Sequence, residues 1–248
     1  MRILLVSIFS IICFGSLQAQ ELVRFKSLDG LEITADFYEA ADSEAPVIIL
    51  FHQAGWSRGE YIETAPRLNN LGFSCLAVDL RSGGKINGVL NSTHENAVKK
   101  KYDTYYLDAY LDMAAAVKYA EENLKSEKLI IWGSSYSSSL VFKLGADFSN
   151  SVAAILAFSP GEYFKNDAKT PLTNYVKNYA LLVTQPVFIT SAAQEKEMWM
   201  EIYKAIPHAE KQFYLPTTEG NHGSRALWSK FADSNSYWNA VEIFLDKL

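Results

Sequence analysis

The sequence predicts an α/β fold, a mainly parallel sheet of about eight strands with helices on both faces. Two features of pattern predict it. Short apolar runs alternate with segments of helical period along most of the chain. Several of these runs are apolar throughout rather than alternating, as strands buried on both faces require. Composition agrees: the 248 residues are 49% hydrophobic and 21% charged, which excludes disorder, collagen-like repeats and low-complexity scaffolds.

The elements follow in order. Residues 22–26 and 31–38 are short alternating runs around Asp29-Gly30, a hairpin turn signal. Residues 46–51, Pro-Val-Ile-Ile-Leu-Phe, form a continuous apolar strand. Residues 61–70 read as a helix closed by Leu71-Gly72, and 73–78 as the next strand. Residues 81–98 read as a long polar loop with Gly83-Gly84. A helix is expected over 102–124, where Ala114, Ala115 and Ala116 favour it. Residues 128–132 are a strand, 138–144 a helix, and 152–158 a strand ending at Ser159-Pro160-Gly161. Then come a helix at 172–182, a strand at 186–190, a helix at 195–206, a strand at 211–215 and a closing helix at 237–248. No repeat or linker interrupts the pattern, so residues 20–248 form one domain, with active groups at the carboxyl ends of the strands.

The first nineteen residues read as a secretory signal peptide, cut after Ala19. Arg2 is followed by an apolar run from Ile3 to Phe14, too short to span a membrane, and then by Gly15-Ser16-Leu17-Gln18-Ala19. The expected protein is exported, periplasmic or secreted, with no membrane span after cleavage. Cleavage leaves Cys75 as its one cysteine, in a segment that reads as a buried strand, so its role is packing. The net charge of −5 carries no basic stripe, which argues against a nucleic-acid partner. No metal-spaced His/Cys cluster and no phosphate-cradling glycine motif stands after a strand, so no cofactor or metal is implied. Nothing in the sequence sets an oligomeric state.

Two serines have nucleophile-like surroundings. Gly55-Trp56-Ser57-Arg58-Gly59 matches Gly-x-Ser-x-Gly fully, while Gly133-Ser134-Ser135-Tyr136-Ser137 has Ser137 in place of the second glycine. Mechanism favours the second. A nucleophile elbow needs a sharp strand-to-helix turn, and residues 128–133 supply the strand and 138–144 the helix. Ser57 lies in a loop beyond a strand end. A hydroxyl needs a base. Of the four histidines, His52 ends a strand, His94 lies in the polar loop and His208 in a surface turn. His222, in Gly220-Asn-His-Gly223, stands late in the chain, where the order Ser, acid, His requires it.

With these residues the chain resembles the α/β-hydrolase superfamily, and within it the dienelactone-hydrolase-like group. The resemblance rests on Phe51-His-Gln-Ala-Gly, Asp79-Leu-Arg-Ser-Gly-Gly84, the elbow at Ser135 and the late His222-Gly223. It implies an α/β-hydrolase fold with a small or absent lid, since only residues 160–185 separate the sixth and seventh strands. Serine stands here in place of that group's cysteine nucleophile, so its substrate is not inherited. The resemblance puts the triad acid after the seventh strand, at Glu195, with Glu162 at the end of the sixth as the alternative. It also assigns oxyanion donors to the backbone of Tyr136 and to the loop Gln53-Ala54, Ala54 being favoured.

Trp56, Arg58, Arg81, Tyr163 and Trp199 are candidates for a substrate pocket, the arginines alternatively being solvated loop cations. The function expected is serine-dependent hydrolysis of a small ester, lactone or related acyl compound. The alternatives are a peptidase of the same fold and a non-catalytic binding protein on the same scaffold, the latter motivated by Ser137 and by glutamate in place of aspartate.

Overall fold

The computed structural model describes residues 20–126, 128–166 and 172–248. The expected signal peptide lies outside them. Ten strands are described: β1 (Gln20–Lys26), β2 (Glu32–Tyr38), β3 (Val47–Phe51), β4 (Ser74–Val78), β5 (Lys85–Ile86), β6 (Val89–Leu90), β7 (Leu129–Ser134), β8 (Val152–Phe158), β9 (Val187–Thr190) and β10 (Lys211–Tyr214). Seven α-helices accompany them: α1 (Thr64–Asn70), α2 (Ser92–Lys100), α3 (Ala109–Asn123), α4 (Tyr136–Asp147), α5 (Tyr175–Ala180), α6 (Lys196–Ala205) and α7 (Ser234–Leu245).

Eight strands form one sheet in the order β1-β2-β4-β3-β7-β8-β9-β10, and β5-β6 make a separate two-residue hairpin. β1 and β2 are antiparallel to their neighbours; from β4 to β10 every pairing is parallel. Alternation along each strand splits the core. Ile49 and Ile131 pack in the layer with α3, α4 and α6, while Ile48, Leu50, Ile130 and Trp132 pack in the layer with α1 and α7. That two-sided burial is why the central strands read as unbroken apolar runs. Among the described residues no helix is long and apolar enough to cross a membrane. Cys75 is free and buried on β4.

Three segments correct the sequence reading. The expected loop at 81–98 contains the β5–β6 hairpin and helix α2. Helix α2 buries only Thr93 and Ala97, so its apolar stripe is too thin to show a period. Its ends are nonetheless well specified. Asn91 caps it by accepting the His94 N–H, Glu95 sits in the first turn, and Lys99 and Lys100 complement the carboxyl end. The expected helix at 61–70 is split into a 3-10 turn at Arg58–Tyr61 and helix α1. Helix α3 starts at Ala109 rather than 102.

Candidate active site

The carboxyl ends of β3, β7, β8 and β9, with the loop that follows β10, converge on one cluster. At the end of β7 the chain turns sharply into α4. Ser135 sits at the apex with φ 59° and ψ −124°, outside both helical and strand regions. The turn is possible because Gly133 has no side chain: a Cβ there would lie 2.5 Å from the Ser138 backbone nitrogen and Cα. Ser137, where the usual elbow has glycine, is fully buried and bonded. Its hydroxyl accepts the Ser134 N–H at 2.9 Å and has the carbonyls of Phe51 and Ser134 as acceptors, each at 2.9 Å. The departure from the glycine pattern therefore ties the elbow to β3, with the Ser137 hydroxyl fully partnered.

The elbow presents the Ser135 hydroxyl to His222, with Oγ 2.8 Å from Nε2. The other ring nitrogen, Nδ1, is 2.6 Å from Glu195 Oε1. A carboxylate can only accept there, so Nδ1 carries the proton and Nε2 is free to accept from serine. Glu195 ends the 3-10 turn Ala193–Glu195 after β9. Its second oxygen accepts from Ser159 Oγ at 2.7 Å and from the Ala192 N–H at 3.2 Å. Burial pushes this carboxyl up, but the bonds from His222 and Ser159 outweigh it and hold Glu195 below the usual glutamate range. Glu162 takes no part. Its oxygens accept the N–H groups of Val176 and Lys177 at the start of α5, at 3.1 and 2.9 Å.

Of the backbone donors expected for an oxyanion, one is corrected. The Gln53 N–H is donated to Glu60 Oε2 at 2.8 Å and is not free. Ala54 and Tyr136 donate their N–H groups to no acceptor among the described residues. Tyr136 opens α4, where first-turn N–H groups have no partner within the helix.

The pocket candidates divide. Tyr163 lies at the site, its hydroxyl donated to the Ser159 carbonyl at 2.8 Å. Trp56, partly exposed two residues beyond Ala54, stacks on Trp228 at 5.3 Å. Trp199 is buried, its Nε1–H donated to Ser191 Oγ, and belongs to the core. Neither arginine is a solvated loop cation or free for a substrate. Arg58 pairs with Asp36 and Asp79 at 2.9 and 2.7 Å, and Arg81 with Asp29 and Asp112, each at 2.7 Å. Ser57 is buried, with its hydroxyl on the Val89 carbonyl. His52 is structural: Nδ1 donates to Gln53 O and Nε2 accepts the Leu80 N–H. Burial lowers its pKa to about 4, so the ring is neutral. His94 is half-buried on the Arg81 carbonyl rather than merely solvated. Among the described residues no group of three or more His, Cys, Asp or Glu side chains could hold a metal ion.

Sequence reasoning missed Glu60, a fully buried carboxylate behind the elbow. It accepts the Ser134 hydroxyl at 2.7 Å as well as the Gln53 N–H. Ser134 Oγ in turn accepts the Ser224 N–H at 2.9 Å, so Glu60 joins the β3 loop, the elbow and the histidine loop. Burial raises its pKa to about 7 against these bonds. Below about pH 4.5 the carboxyl is protonated both folded and unfolded; between there and about 7 the folded state holds the extra proton. This group's contribution to stability therefore falls as pH rises through that window and is flat above it. Chemical denaturation at a series of pH values should show a steeper fall across that window in the wild type than in Glu60→Gln. Parallel curves for the two proteins would refute it.

Comparison with known proteins agrees with the fold. The family model described as alpha/beta hydrolase fold matches residues 46–223, well over half of the chain, and the chain belongs to that family. No curated protein matches the sequence. Among solved structures, a dienelactone hydrolase from Anabaena variabilis superposes with a TM-score of 0.71 at 11% identity, covering 92% of this chain and 97% of that one. An esterase of Pyrococcus furiosus gives 0.69 at 21% identity, covering 92% of each chain. A carboxyl esterase from Bacillus coagulans gives 0.66 at 12%, covering 92% and 98%. At these identities the likeness is one of fold.

Proposed function

We propose that this chain is an exported serine hydrolase that cleaves a small ester, lactone or related acyl compound through an acyl-enzyme on Ser135. One observation carries the reading: a strained elbow serine lies 2.8 Å from an imidazole whose far nitrogen is 2.6 Å from a carboxylate. In the proposed cycle Ser135 Oγ attacks the acyl carbon as its proton passes to His222 Nε2. Glu195 holds the ring and stabilises the imidazolium. The negative charge on the carbonyl oxygen meets the N–H groups of Tyr136 and Ala54, each worth about 3 kcal/mol in such sites. His222 returns the proton to the leaving oxygen, and water repeats the sequence to free the acid. The short segment between β8 and β9 fits a small substrate better than one needing a large lid. Export is supported by the charged start and apolar core of residues 1–19.

The test is covalent. A fluorophosphonate probe should label the wild type at Ser135, and Ser135→Ala should take up none. Undiminished labelling of that variant would remove Ser135 from the mechanism.

A further inference from the structure

The triad acid is a glutamate, which has one more rotatable bond than aspartate and so more freedom to leave the imidazole. Something must remove that freedom. The residue placed to do so is Ser159, at the end of β8, fully buried. Its hydroxyl donates to Glu195 Oε2 at 2.7 Å and accepts the Gly223 N–H at 2.8 Å. One oxygen atom thus connects the acid to the residue that follows the base. The Ser159 backbone N–H is anchored to the Thr190 carbonyl on β9 at 2.7 Å, and its carbonyl accepts the Tyr163 hydroxyl.

The backbone is the second observation. Ser159 has φ +58°, a left-handed conformation that residues with a Cβ rarely adopt. It also precedes Pro160, whose ring crowds the preceding residue. Glycine would suit that conformation better but has no hydroxyl. Strain of this kind persists where the surrounding structure enforces it, typically at functional sites.

We infer that Ser159 is a positioning residue: its hydroxyl locks the distal oxygen of Glu195 and sets the His222 loop at the distance the proton transfer requires. The inference rests on the proposed triad but is separable from it. With the hydroxyl removed, Glu195 loses its strongest second bond and can turn away from Nδ1, while the substrate-contacting groups stay in place.

Two variants test it. Ser159→Gly removes the hydroxyl and relieves the backbone; Ser159→Ala removes the hydroxyl alone. Four quantities are read: the thermal midpoint, kcat and KM on a short-chain nitrophenyl ester, and the downfield proton resonance of His222 Nδ1–H. Ser159→Gly should have the higher thermal midpoint of the two variants, because glycine relieves the backbone at φ +58° that alanine keeps. Both variants should lose kcat by roughly tenfold or more, in line with losing a bond to a charged group, with KM nearly unchanged. In both, the Nδ1–H resonance should shift or broaden. Unchanged kcat, or reduced kcat with the resonance unmoved, overturns the inference. The resonance reports on the contact whether or not turnover occurs. If Ser135 takes no fluorophosphonate and no ester is cleaved, the proposed function fails, while the resonance still decides the role of Ser159.

Discussion

Replacing His222 with alanine should lower kcat on a short-chain ester by roughly 10⁴- to 10⁶-fold, the range found when a serine hydrolase loses its base. The physical reason is the proton. Ser135 Oγ is bonded to one acceptor poised to deprotonate it, Nε2 at 2.8 Å. Without that ring the hydroxyl attacks as a neutral alcohol, a weak nucleophile. The ring is half-exposed, so its removal leaves no large cavity, and the thermal midpoint should move little. Double replacement of Ser135 and His222 should cost hardly more than either alone, because the two act as a unit. Steady-state kinetics on the three variants decides it. A His222→Ala enzyme within tenfold of the wild type, or additive losses in the double variant, would refute the assigned base.

How much of this could be read from the chain depends on the range of the forces involved. The parallel core was legible because residues 46–51 and 128–132 are apolar at every position, a pattern set by two-sided burial. Ser135 was legible because its geometry is local: Gly133 before it and a helix directly after it make the turn. His222 and Glu195 followed from chain order and from family resemblance, not from periodicity. Helix α2 was hidden because it buries so little. Glu60 and Ser159 gave no signal, since their partners lie far away in sequence. The Glu60 bond to Ser134 spans 74 residues, and that from Gly223 to Ser159 spans 64. The same applies to Arg58 and Arg81. A loop sequence shows a cation but not the carboxylate that will meet it after folding, so both read from the sequence as groups available to ligand or solvent.

Arg81 carries the largest expected effect on stability. Its guanidinium is 2% exposed and forks between two carboxylates. Asp112 on α3 receives Nη2 at 2.7 Å, and Asp29 in the β1–β2 turn receives Nη1 at 2.7 Å. Asp112 is fully buried; burial pushes its carboxyl up, and Arg81 opposes that rise. Replacing Arg81 with methionine keeps most of the side-chain volume but leaves that carboxylate without a cation. Breaking a buried pair on one side costs about 3–5 kcal/mol, chiefly through the charge left behind. For a chain of this size that corresponds to a fall of about 10 °C in thermal midpoint. The deficit should shrink toward acid pH. Without the cation, the folded-state pKa of Asp112 lies further above its unfolded value, so protonation relieves the folded state first. Adding Asp112→Asn to Arg81→Met should recover part of the loss, because the orphaned charge is then gone. Neither change should alter KM, since both Arg81 carboxylate partners are internal. Urea titrations at neutral and acid pH on the single and double variants measure each term. A loss below about 1 kcal/mol, or no recovery in the double variant, would show that the guanidinium does not stabilise this junction between the β1–β2 turn and α3.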